Sequence, residues 1–190
     1  MPPPNQVRPE RLDRSEVRIR ALSGADAAEF SRLRLEALEN EPQAFGASPE
    51  EHRATPSEAI AKRLGSGSNE RNFVLGAFVR DQLIGMAGFY QQDGLKARHK
   101  SHVWGVYVTK QWRSHGVARR LLSELIDHVR NRPEVEHLLL AVAVGQKAAK
   151  HVYESLGFEV YGREPRAIKI GNKYVDEDLM VLHLSPRPDK

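Results

Sequence analysis

The chain contains no cysteine. That excludes disulfides, thiolate metal sites and a cysteine nucleophile, and it fits a cytoplasmic protein. No apolar run approaches the roughly 20 residues that a membrane helix needs, so no membrane partner is expected. The opening residues, MPPPNQVRPERLDRSE, lack the apolar segment of a secretory signal. Excess charge is also small. The net charge is +4, and part of it sits in Arg8, Arg11, Arg14, Arg187 and Lys190 near the two ends. So small and scattered an excess suits an anionic small molecule and gives no reason to expect nucleic acid. Two nucleotide motifs fail as well. Gly65-Ser66-Gly67-Ser68 has no third glycine and follows a predicted helix. Val144-Gly145-Gln146-Lys147 lacks the upstream glycine and the Ser/Thr of a P-loop.

What remains is an ordinary globular composition: 190 residues, 40% hydrophobic and 28% charged. Residues 1–14 predict a disordered leader and 186–190 a tail, leaving a single domain at 15–185. Within it, hydrophobic periodicity predicts the order β α α β β β α β α β β. Strands are expected at Val17–Leu22, Phe73–Arg80, Leu83–Gln91, up to Val108, His137–Val144, Phe158–Arg163 and Tyr174–Leu184. Asp81-Gln82 is the expected hairpin turn, and residues 40–54, 92–100 and 164–174 are expected loops. This is an α/β pattern: a mixed seven-stranded sheet with about four helices.

The most informative stretch is Ser101–Leu122, SHVWGVYVTKQWRSHGVARRLL. Val103 to Val108 are mostly β-branched or aromatic and read as a buried strand. From Val117 the apolar residues fall at 117, 121, 122, 125, 126 and 129, one face of an α-helix. Between them, Arg113-Ser114-His115-Gly116-Val117-Ala118 feeds the first turn of that helix. The N–H groups there have no intrahelical partner, and the helix dipole is positive. Such a junction suits a phosphate or pyrophosphate, and Arg113 adds a cation.

Strand, loop and helix together resemble the pyrophosphate motif of the GNAT family of N-acetyltransferases. A second segment, Gln146 to Phe158, resembles that family's downstream signature through Ala149, Tyr153, Gly157 and Phe158; Gln146 stands where the family usually has asparagine. The resemblance spans about residues 17–184. It implies the acyl-CoA N-acyltransferase fold, acetyl-CoA as co-substrate and transfer of an acetyl group to a primary amine of a small molecule or peptide. A non-catalytic acyl-CoA binding module on the same fold is the alternative. The implied cofactor contacts are Val106, Tyr107 and Val108 along the strand, Arg113, Ser114, His115, Gly116, Val117, Ala118 and Arg119 at the loop, and Gln146. Tyr153 is the implied general acid. His102, on the strand face shared with Trp104, is the candidate base, directly or through water. No metal is expected, since His99 and His102 would point to opposite faces of one strand. The family also implies a homodimer as a possible assembly.

The acceptor is less legible. Glu36, Glu39, Glu41, Glu50 and Glu51 cluster near the first loop; they either attract a cationic amine or form a solvated acidic surface. Lys96, Arg98 and Arg166 would instead favour an amine that also carries a carboxylate.

Overall fold

The computed structural model describes residues 16–66 and 71–184. The expected leader, the tail and most of the Gly65–Asn69 turn lie outside those residues. Among the described residues, seven strands form one sheet: β1 Val17–Ala21, β2 Asn72–Val79, β3 Gln82–Gln91, β4 Lys100–Val108, β5 His137–Ala143, β6 Glu159–Ile170 and β7 Lys173–His183. Their order across the sheet is β1-β2-β3-β4-β5-β7-β6. All neighbours are antiparallel except β4 and β5, which run parallel. The described residues include five α-helices that cover it: α1 Ala27–Asn40, α2 Pro49–Ala54, α3 Ser57–Ser66, α4 Val117–Arg130 and α5 Lys147–Ser155.

The sheet separates two cores. On one face, α4 buries Val117, Leu121, Leu122, Leu125, Ile126 and Val129, the six positions its periodicity marks. Each such side chain contributes roughly 1.5–3 kcal/mol by leaving water. On the other face, α1 and α3 pack Phe30, Leu33, Leu38, Ile60 and Leu64 against Val74, Phe78 and Met86.

Three local expectations shift. The β2–β3 turn is Arg80-Asp81, with Arg80 at φ 54°, one residue earlier than expected. The 40–54 loop contains α2, whose start is fixed by a reciprocal cap: Glu51 N–H donates to Ser48 Oγ and Ser48 N–H to the Glu51 carboxylate. The 164–174 loop is mostly strand, because β6 and β7 extend to a tight turn at Gly171-Asn172. Most of β6 is exposed edge strand, so it lacks the apolar alternation that would mark it.

Candidate active site

The site begins with one extra residue. Opposite β3, Met86 faces Tyr107 and Gly88 faces Trp104, so two residues of β4 oppose one of β3. Gly105, at φ 64°, sits in that bulge. The insertion also resets the alternation. Val103 and Val106 pack on the α4 face, Trp104 and Tyr107 on the α1 face. A bulged strand bends, and β4 leaves its parallel neighbour. Pairing to β5 runs only from Lys100↔His137 to His102↔Leu139. Past that point the facing edges of β4 and β5 part and frame a groove of about 610 Å3.

Val106, Tyr107 and Val108 form one wall of the groove, Leu140 to Ala143 the other, and Tyr153 and Ala149 of α5 its side. Arg113, Ser114, Gly116, Val117, Ala118, Arg119 and Gln146 line its mouth. Gly116 caps α4 at φ 78°, and a Cβ there would meet nothing within 4 Å. The glycine is therefore needed for its left-handed backbone. Ser114 shares this left-handed backbone at φ 66°, a conformation of the kind that turns successive N–H groups into a nest suited to an anion. Open β4 edge, nest and two guanidinium groups suit an extended arm that ends in a diphosphate.

Two of the predicted site residues keep their side chains off the groove wall. The His115 ring is bonded through Nδ1 to the Arg113 carbonyl at 2.7 Å and rests against Trp112, off the groove wall; only its backbone belongs to the nest. His102 stands where β4 and β5 part, but its ring stacks on Tyr90 at 4.8 Å, and the Gln92 amide donates to its Nε2 at 2.8 Å. It lies on neither cavity wall. Burial, reinforced by the Lys100 ammonium, holds this imidazole below the usual histidine range. Tyr153 is buried, with its ring edge-on to Phe158, and burial pushes its phenol well above the usual value. At neutral pH it carries its proton.

The sequence places Glu41 only in an acidic cluster near the first loop; its link to the mouth of the groove emerges from the structure. Arg113 Nη1 donates to its Oε1 at 2.7 Å, and Gln146 Nε2 to its Oε2 at 3.1 Å. Burial pushes this carboxyl up, but the bonds from Arg113, Gln146 and Gln43 outweigh it and hold the group ionised. Arg113 Nε also donates to the Val108 carbonyl at 3.1 Å. The other acids of the expected cluster serve local bonds: Glu39 and Glu50 pair with Arg53, Glu51 caps α2, and Glu36 accepts from the Tyr107 hydroxyl at 3.1 Å. Lys96, Arg98 and Arg166 line neither cavity. Among the described residues, no group of three or more potential side-chain ligands is arranged to hold a metal ion.

The profile of the acetyltransferase (GNAT) family matches residues 33–158. The chain is 34% identical over 93 residues to L-amino acid N-acetyltransferase AaaT of Escherichia coli (strain K12), a match covering 48% of this chain and 57% of that one. It is 33% identical over 85 residues to L-amino acid N-acyltransferase MnaT of the same organism, covering 44% and 48%. It thus spans about half the length of the curated relatives it matches. The structure of YncA from Salmonella typhimurium, solved with acetyl-CoA, has the same fold: TM-score 0.78 at 22% identity, over 92% of this chain and 97% of that one. From the profile match and the parted β4–β5 pair, the chain belongs to the acetyltransferase (GNAT) family.

Proposed function

We propose that this chain transfers the acetyl group of acetyl-CoA to the amine of a small molecule, an amino acid being the class that the names of AaaT and MnaT suggest. The observation that carries the reading is the parting of β4 from β5 after His102↔Leu139, with a nest of N–H groups at the groove's mouth. The pantetheine arm bonds the open edge of β4 as an added strand would, and the diphosphate rests on the Arg113–Ala118 backbone beside the Arg113 and Arg119 side chains. Val106 N–H, next to the bulge, donates to the thioester oxygen as negative charge gathers there.

The amine nitrogen attacks the thioester carbon, the carbon–sulfur bond breaks, and one proton must move from nitrogen to sulfur. Tyr153, protonated at neutral pH, donates to the departing sulfur and is restored through solvent by the proton that leaves the amine. His102 lies off the groove wall, so the amine's proton reaches its imidazole through water, in exchange for the bond from Gln92. Titration calorimetry tests the cofactor half of this reading. Acetyl-CoA binds the wild type; Gly116→Asn, which tolerates a left-handed backbone, weakens binding modestly; Gly116→Asp, isosteric and anionic, abolishes it. No binding to the wild type would sink the reading.

A further inference from the structure

Resting on the acetyl-transfer reading, we propose that the cavity between α1, α2 and α3 holds the acceptor, and that Arg34 anchors the acceptor's carboxylate. The acceptor class is then a free α-amino acid with an apolar side chain. This second cavity, about 410 Å3, lies on the α1 face of the sheet and shares Trp104 with the groove. Phe30, Leu38, Ile60, Leu64, Val74 and Trp104 give it an apolar wall.

Arg34 supplies its charge. The guanidinium lies 4.8 Å from the centre of the Phe45 ring and 5.9 Å from that of Trp104. Its Nη1 is buried and has no hydrogen-bond partner among the described residues. Leaving such a buried donor unmet is costly, and an anion toward which the guanidinium turns removes that cost. Burial, followed by repulsion from Arg63, lowers the Arg34 pKa to about 10, so the group stays charged at neutral pH. Arg63, which sits over the Trp104 ring at 5.0 Å, adds positive charge to the same cavity. The other titratable groups on the wall have local bonds: Glu51 accepts from Ser48 N–H, and His52 Nε2 meets the Ser31 carbonyl.

Position narrows the ligand further. A Cβ built on Gly105 would lie 3.5 Å from Arg34 Nη1, so this cation adjoins the β4 bulge, one residue from the Val106 N–H. In an α-amino acid, two bonds separate the amine from the carboxyl carbon. A carboxylate on Arg34 therefore leaves its own α-amine at the start of the groove, with the side chain free to enter the apolar cavity. A polyamine or an aminoglycoside brings no carboxylate, and a peptide N-terminus has none beside its amine. Those acceptors would face two guanidinium groups with like charge.

The test compares L-phenylalanine, L-leucine and L-methionine with their decarboxylated amines, 2-phenylethylamine, 3-methylbutylamine and 3-(methylthio)propylamine. Thiol release from acetyl-CoA is the readout. The wild type should prefer at least one amino acid to its amine by about 30–100-fold in kcat/KM, the range of a charged hydrogen-bonded contact. Arg34→Met should erase most of that preference by raising the amino acid's KM, with acetyl-CoA affinity retained as a check on folding. Arg34→Lys should restore part of it. Equal rates on acids and amines in the wild type would overturn the assignment. So would an Arg34→Met loss equal for both. If no amine is acetylated although acetyl-CoA binds, the transfer reading fails on its own. The pocket then stands or falls on whether these amino acids raise the melting temperature of the CoA-bound wild type but not of CoA-bound Arg34→Met.

Discussion

Arg113, the cation at the mouth of the groove, is held 2.7 Å from Glu41 by an ion pair that joins the start of α4 to the end of α1. The same carboxylate accepts from Gln146 at the start of α5. One acid thus ties together two residues that line the mouth of the groove. If the diphosphate rests on the Arg113–Ala118 backbone as proposed, it must share Arg113 with Glu41 or displace it. Glu41→Gln should therefore tighten acetyl-CoA binding several-fold, in keeping with the ~0.2–1 kcal/mol of a partly exposed pair. Arg113→Gln should weaken it. Calorimetry on both variants decides. Equal weakening by the two would mean that Glu41 positions Arg113 and does not compete for it.

Tyr153→Phe removes the phenol and keeps the ring packed on Phe158. With a donor to the sulfur lost, kcat should fall by about 100-fold while the acetyl-CoA Kd stays within about twofold. Unchanged kcat would remove Tyr153 from the chemistry. The same variant separates enzyme from binding module, since a module has no turnover to lose.

How much of this was legible in the chain depends on range. The face of α4 could be read because six apolar residues repeat within fourteen. The loop-to-helix junction could be read because Arg113 to Ala118 is contiguous. Helix α2 was legible in principle, through Ser48-Pro49-Glu50-Glu51, but it is six residues long and buries none of them, so it carries no periodicity. Gly105 is a lone glycine in a strand, and nothing local distinguishes a bulge from a weak strand. Glu41 and Arg113 are 72 positions apart, and Arg34 and Gly105 meet only once α1 lies on the sheet. Single charged residues on an amphipathic helix read as solvated surface until the fold brings their partners to them.

His102 makes a prediction about pH. Its imidazole is held below the usual ~6.5 by burial and by Lys100. If it takes the amine's proton, kcat/KM should fall as pH drops through that lowered value, where the ring becomes charged. The limb should vanish in His102→Gln, with a lower plateau above it. An acid limb that survives unchanged in His102→Gln would assign the proton to water or to the amine's own titration.

Asp178 anchors the helix that carries Tyr153. It is 2% exposed on β7 and accepts from Lys150 of α5 at 2.8 Å and from Arg163 Nε of β6 at 2.8 Å. Those bonds hold its carboxyl below the usual range. A depressed carboxylate contributes stability above its unfolded value, about 3.9, and that contribution is lost as pH falls through the folded one. Asp178→Asn should lower the melting temperature at pH 7 by about 5 °C. The deficit relative to wild type should shrink in acid, and an equal deficit at pH 7 and pH 2.5 would show that charge is not its cause.

A second acid-sensitive point lies at the base of the β4–β5 pair. The His137 ring meets His183 at 4.9 Å and His99 at 5.7 Å, beside Lys100 and Glu136. Burial lowers its pKa first, and repulsion from His183, His99 and Lys100 lowers it further against a small opposing pull from Glu136. The unfolded chain therefore binds this proton at higher pH than the folded one. The stability tied to a neutral His137 is complete above about pH 6.5 and drains away as pH falls through the folded value. His52 and His102 shift in the same direction, so the wild-type curve contains all three. His137→Phe keeps a ring in the stack and removes one titration. Urea unfolding at pH 7.5 and 5.5 should show a smaller acid loss for the variant than for the wild type. Equal losses would mean that the ring cluster accommodates its charge, leaving the acid sensitivity with His52 and His102.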